Sequence, residues 1–233
     1  MKLKNYIHNF EPGKLDFCQI CNSSDLDTVL DLGFQPLPDN LRAMDDKNHE
    51  TIFYPLEINL CRKCILLQTS HIVDDKKLYP SNYHYTPGIS KQVRDNFSEF
   101  AKKTIDLYKL KRSETILDIG CNDGSLLDEF KNFGFNSLFG IDPTNTVKIA
   151  KNKGHKTIQD FFNKKSAETF LDKSKVPKII TTTNVFAHTG KLGEFIKGLL
   201  KIMKNETIFI VENHYLSSII SKNQFDSFYH EHL

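Results

Sequence analysis

Residues 114–142 decide the fold: Glu114-Thr-Ile-Leu-Asp118-Ile-Gly120-Cys-Asn-Asp-Gly124 opens the stretch, and Phe139-Gly-Ile-Asp142-Pro closes it. A short apolar run (Ile116, Leu117, Ile119) ends at Gly120, and Gly124 follows. Leu126, Leu127, Phe130 and Phe133 then recur at helical spacing. A second apolar run ends in Asp142. The order is strand, glycine turn, helix, strand, with an acid at the tip of the second strand. Doubly wound sheets hold a nucleoside in this way: glycines let the ligand approach the backbone, and the acid bonds the ribose hydroxyls. The step from Gly124 to Asp142 fits the usual offset of roughly 20 residues. Taken alone, the stretch suits a dinucleotide as well as a smaller nucleoside.

Downstream the alternation continues. Helix 145–153 leads to strand 156–158 and Asp160-Phe161-Phe162, and a Lys-rich helix over 164–172 precedes strand 178–183. Helix 191–203 precedes strand 207–212. Strands alternating with helices imply a parallel sheet with right-handed crossovers. Upstream, residues 89–111 carry Val93, Phe97, Phe100 and Ile105 at broadly helical spacing, a helix suited to covering that sheet.

The bulk numbers bound what such a chain can do. It has 233 residues, 39% apolar and 26% charged, enough for one large domain or two small ones with a true core. Net charge is +2, and the lysines are scattered, with local excess only around 102–112. Nothing here calls for nucleic acid or an anionic membrane. No apolar run reaches the ~18 residues of a membrane span, and the N-terminus lacks a signal-peptide core. A cytoplasmic setting is the expectation.

Cys18-Gln-Ile-Cys21 and Cys61-Arg-Lys-Cys64 are two C-x-x-C pairs. In a reducing cytosol such pairs are more often metal knuckles than disulfides. Four thiolates would complete a tetrahedral zinc site with no open position for chemistry, so the metal would be structural; a redox pair or free thiols is the alternative. Cys121, inside the glycine turn, is expected to pack rather than react. Between the knuckles, Leu32-Gly-Phe-Gln-Pro-Leu-Pro-Asp-Asn40 carries two prolines and a glycine and reads as an ordered loop. Leu66, Gln68 and His71 suggest a strand closing a small domain over 1–73, with 74–233 as the second domain. Tyr79-Pro-Ser-Asn-Tyr83-His-Tyr85-Thr-Pro-Gly88 reads as an irregular link, its tyrosines either surface residues or a substrate wall.

Asp118-Ile-Gly-Cys-Asn122-Asp-Gly124 resembles the first motif of class I S-adenosylmethionine (SAM) methyltransferases. Asp142 stands where that family places its ribose-binding acid, and Asp160-Phe161 where it reads the adenine. The C-x-x-C domain, the Pro-Leu-x-x-Asn loop, Asn184-Val-Phe-Ala-His188 and Phe228-Tyr-His-Glu-His-Leu233 together resemble the sugar C-methyltransferases. That resemblance covers nearly the whole chain. It implies an α/β, Rossmann-like class I methyltransferase sheet preceded by a small zinc-binding domain. It also implies methylation of a ring carbon of a nucleotide-linked keto-deoxysugar. Asp118, Gly120, Asn122, Gly124, Asp142, Asp160 and Phe161 would hold SAM. His232 would be the base, histidine's pKa lying near ambient pH, with Glu231 and Tyr229 placing or polarising groups around the sugar. His188 and Tyr83 match further active-site positions.

The chain stops at Leu233, directly after the last motif. A sheet incomplete at its C-terminal end, with strand 207–212 on an uncovered edge, is therefore expected, together with a separately encoded C-terminal half as partner. Three other functions compete. One is SAM-dependent methylation of another small molecule, and a second is a non-catalytic SAM-binding remnant. The third, a zinc-dependent nucleic-acid module, is disfavoured by the missing basic patch.

Overall fold

The computed structural model describes residues 10–39, 41, 44–45, 50–80 and 83–231. They form two compact units. One runs up to Tyr79 and adds Ala187–Glu194 and the chain from Asn213 onward; the other comprises Pro80–Phe186 and Phe195–Glu212.

The first unit begins with β1 (Gly13–Lys14), β2 (Leu26–Pro36), β3 (Phe53–Cys61), β4 (Leu67–Thr69) and β5 (His71–Ile72), followed by α1 (Asp75–Leu78). β2, β3 and β4 make an antiparallel sheet in that order, and β1 pairs with β5. The strand expected after Cys64 is thus split in two, each half serving a different sheet. Residues 32–36, expected in a loop, instead finish β2. That strand is an edge, where Pro36 is tolerated as its last residue. Register shifts between Thr28 and Leu30 and between Asp31 and Phe34 absorb the irregular sequence. Gly33 sits in the second of these at φ +68°, its N–H donating to Asp31 Oδ1 at 2.8 Å. Asn40 lies outside the described residues.

The second unit opens with α2 (Lys91–Tyr108), capped by Ser90. Then follow β6 (Ile116–Ile119), α3 (Ser125–Asn132), β7 (Leu138–Ile141), α4 (Val147–Asn152), β8 (Lys156–Ile158), α5 (Lys164–Lys173), β9 (Ile179–Thr183), α6 (Leu192–Ile202) and β10 (Ile208–Glu212). All five strands are parallel, in the order β10-β9-β6-β7-β8, with β10 and β8 at the edges. The chain returns to the first unit as α7 (Leu216–Ser221).

Strand alternation divides the core between the two faces of this sheet. Ile116, Leu138 and Ile179 pack with Phe97, Leu126, Leu127 and Phe130. Their neighbours Leu117, Phe139 and Ile180 pack with Phe170, Phe195 and Leu199. A sheet covered on both faces has its ligand edge at the strands' carboxyl ends, next to the point where strand order reverses. Here that point lies between β6 and β9.

Candidate active site and metal centre

The two C-x-x-C turns are built alike. In each, the first cysteine's N–H donates to the carbonyl five residues on, Ser23 from Cys18 and Leu66 from Cys61. In each, the residue after the second cysteine is left-handed, Asn22 at φ +55° and Ile65 at φ +63°, and its N–H returns to the first cysteine's carbonyl. The four Sγ atoms all lie within 4.8 Å of one another, with Cys18–Cys64 and Cys21–Cys61 each at 3.5 Å. Thiolates ~2.3 Å from a tetrahedral zinc stand about 3.8 Å apart, so the donor set fits the ion. Cys18 and Cys61 are buried, Cys21 half-buried and Cys64 exposed. The cluster uses four protein ligands, leaving the metal a structural role.

In the second unit the glycine turn joins β6 to α3. Gly120 (φ +75°) and Gly124 (φ +79°) are left-handed, and a Cβ on Gly120 would lie 2.3 Å from Val185 Cγ2. Asn122 is also left-handed, and its N–H donates to Asp142 Oδ2 at 3.0 Å. Asp142 Oδ1 accepts from Thr144 N at 2.8 Å and Thr144 Oγ1 at 2.6 Å. Burial pushes the Asp142 carboxyl up, and these donors pull it back down. Asp118 is buried at the end of β6, where Thr181 Oγ1 donates to its Oδ1 at 2.7 Å. Burial raises its pKa to about 7, against the Thr181 bond and helped by the nearby Asp142 charge. The half-buried Asp160 and Phe161 follow β8 on the same sheet edge, where Asp142 N–H donates to Ile158 O at 3.1 Å. Thus Asp118, Gly120, Asn122, Gly124 and Asp142 come together. Asn122 Oδ1 is buried with no donor among the described residues, an orphan acceptor that a bound ligand can satisfy. The cradle fits an adenosyl group.

Sequence reasoning did not find the residues that hold this cradle in shape. The Thr144 bonds form an Asx turn, which Asp-x-Thr signals. Thr181 and the strap at 85–89 carry no such local signal. Asn122 Nδ2 donates to the Tyr85 carbonyl at 3.0 Å, and Gly88 N–H to Asp123 Oδ2 at 3.2 Å. Arg94 Nη1 reaches the carbonyls of Gly88 and Ile89. The tyrosine-rich link is therefore pinned to the glycine turn by main-chain groups. Tyr83 is half-buried at its start, its N–H bonded to Pro80 O at 3.0 Å.

The remaining predicted residues fall in the first unit. Tyr229 is partly exposed, while His230 and Glu231 are buried. His230 Nε2 bonds the Tyr54 carbonyl at 3.2 Å, and burial lowers its pKa. Burial pushes the Glu231 carboxyl up, and the Tyr79 hydroxyl pulls it back down. His188 ends a 3-10 turn over Phe186–His188. The segment after it is tied to α1, where Asp75 accepts from Gly190 N–H and is drawn on by Lys191. His232 lies outside the described residues.

Residues 18–79 match the family described as "Putative zinc binding domain", and residues 85–233 the family described as "Methyltransferase domain". The C-methyltransferase NovU of Streptomyces niveus is 27% identical over 220 residues, 94% of this chain but 52% of that protein. The chain thus spans about half the length of this curated relative. Among solved structures, the plantazolicin methyltransferase BpumL in complex with SAH is 25% identical, at a TM-score of 0.44 over 56% of this chain and 54% of that one. A SAM dependent methyltransferase from Archaeoglobus fulgidus is 20% identical, at 0.45 over 57% and 58%. Among the described residues no helix is long and apolar enough to cross a membrane. With a five-stranded parallel sheet, a glycine cradle under an orphan acceptor and a four-cysteine cluster, the chain belongs to the methyltransferase-domain family, has a zinc-binding domain ahead of the catalytic fold, and takes S-adenosylmethionine as its cofactor.

Proposed function

We propose that this protein transfers the methyl group of S-adenosylmethionine to a ring carbon of a nucleotide-linked keto-deoxysugar in the cytoplasm. The observation that carries this reading is the 27% identity to a C-methyltransferase along 94% of the chain. The sugar acceptor is supported by the likeness of Tyr229-His-Glu-His232 and Asn184-Val-Phe-Ala-His188 to the sugar C-methyltransferases.

A carbon beside a ketone becomes a nucleophile only after losing a proton. His232 is the base that takes it, and Glu231 and Tyr229 place the sugar and polarise its ketone. Burial of Glu231 favours its protonated form, a donor suited to an oxygen that gathers charge as the enolate develops. His188 and Tyr83 are further sugar contacts. Asp118, Gly120, Asn122, Gly124, Asp142, Asp160 and Phe161 hold the cofactor, which supplies an electrophilic sulfonium methyl when bound. The cysteine cluster shapes its domain and takes no part in the chemistry.

The test is incubation with 13C-methyl SAM and a set of nucleotide-linked keto-deoxysugars, with the product read by NMR. A labelled C–CH3 carbon is the expected result. In deuterated buffer without SAM, the ring C–H beside the ketone should exchange. H232A should lose transfer and exchange while still binding the demethylated cofactor. Label on oxygen or nitrogen, or no transfer to any keto-sugar, would refute the proposal.

A further inference from the structure

Around Asp142 every proton can be assigned. The carboxylate and the two threonines are all buried, with exposures of 6% for Asp142, 3% for Thr144 and 5% for Thr146. Thr144 Oγ1 lies 2.6 Å from Asp142 Oδ1 and 2.6 Å from Thr146 Oγ1. A hydroxyl has one proton to give, and an ionised carboxylate can only accept. Thr144 therefore donates to Asp142, and Thr146 donates to Thr144. The Thr144 N–H donates to the same Oδ1 at 2.8 Å, so both lone-pair directions of that oxygen are filled. Among the described residues Oδ2 has a single donor, the Asn122 N–H. The carboxylate has about four acceptor sites, and the one left over is on Oδ2.

We propose that Asp142 reads a single ribose hydroxyl through Oδ2, and that Thr144 is the positioning residue that enforces this by saturating Oδ1. The inference rests on the cofactor assignment above and adds to it a prediction of asymmetry. Of the two vicinal hydroxyls, one gains a charge-assisted bond from Asp142 and the other gains none.

Isothermal titration of the full, zinc-loaded chain with S-adenosylhomocysteine and its 2′-deoxy and 3′-deoxy analogues tests this directly. Losing the bonded hydroxyl should weaken binding about tenfold or more, and losing the other less than about threefold, the loss of one charge-assisted bond being the only difference. T144V opens one lone pair on Oδ1, so the ratio between the two analogues should fall; T144S keeps the hydroxyl and should keep the ratio. T144A carries the same expectation as T144V if the valine variant does not fold, which circular dichroism would reveal. A structural role alone would weaken all three ligands equally and leave the ratio unchanged. Equal losses for both analogues in the wild type, or an unchanged ratio in T144V or T144A, would overturn the proposal. Failure of S-adenosylhomocysteine itself to bind would instead remove the cofactor assignment, and this inference with it.

Discussion

Cys121 fills the space that Gly140 leaves open: a Cβ built on Gly140 would lie 2.3 Å from Cys121 Sγ and 2.8 Å from Cys121 Cβ. The thiol is buried at 3% exposure and its pKa is pushed well up, first by burial and then by the charge of Asp142. Gly140→Ala should therefore force the glycine turn off β7 and cost about 1–3 kcal/mol, as overpacking does. Urea midpoints of the two proteins measure this. In the native state Cys121 should resist thiol reagents that modify it readily once the chain is unfolded.

Gly120 is constrained twice, by its φ of +75° and by Val185 at 2.3 Å from a would-be Cβ. Gly120→Ala should destabilise by roughly 2 kcal/mol or more, combining a left-handed penalty of ~1–2 kcal/mol with the clash. It should also weaken the binding of S-adenosylhomocysteine. Adding Val185→Ala relieves the clash but not the backbone strain, so the double variant should recover only part of the stability. Full recovery in a thermal melt would show that the φ of Gly120 carries no cost.

The Asp118 carboxyl has a folded-state pKa of about 7 against an ordinary carboxylate value, raised chiefly by burial. The folded state thus holds a proton that the unfolded chain releases. Stability from this group is complete below the unfolded value near 4, falls as pH rises between there and about 7, and is level above that. Asp118→Asn keeps an acceptor for Thr181 and removes the ionisation. Its stability relative to the wild type should therefore grow from pH 5 to pH 8, by up to a few kcal/mol. Urea titrations at the two pH values check this, and an equal gap at both would refute it.

Metal analysis should find about one zinc per chain, the number that four cysteine ligands satisfy. Cys61→Ser should abolish it and destabilise the first unit by several kcal/mol, because binding free energy at such a site is folding free energy. The second unit has its own core, so S-adenosylhomocysteine should still raise its melting temperature in that variant.

Ile65 is a β-branched residue held at φ +63° and 69% exposed, whereas the matching position in the other knuckle is Asn22. A β-branched side chain in this region is a strained outlier. Ile65→Asn should stabilise the zinc-loaded protein by about 1 kcal/mol, read from its chemical denaturation midpoint.

The parts of this protein written in local sequence were legible in advance. Ile116 to Asp142 announced strand, turn, helix and strand because hydrophobic period and glycine position are short-range signals. The cysteine ligands were equally plain, since their chemistry fixes their spacing. Leu32–Pro36 read as a loop because glycine and proline usually form loops, whereas a bulged edge strand here accommodates Gly33 and Pro36. The order β10-β9-β6-β7-β8 and the Asp118–Thr181 bond join residues distant in sequence, and no local pattern encodes them. His230 was visible in the Tyr-His-Glu-His string, yet nothing in that string pointed to the Tyr54 carbonyl it bonds.

The strap from Tyr85 to Ile89 has a kinetic consequence. Asn122 and Asp123 hold the strap to the turn through one main-chain carbonyl and one amide, and Arg94 holds it to α2 through two carbonyls. A substitution at the exposed Ile89 therefore leaves the hold intact, whereas a side chain on Gly88 would collide with the Asp123 carboxylate. The same Asn122 donates its own N–H to Asp142. Lifting the strap thus breaks several bonds at once and unsettles the residue that braces the ribose acid. Movement of residues 85–89 and exchange of the cofactor should share one rate constant, set in the glycine turn rather than in the strap.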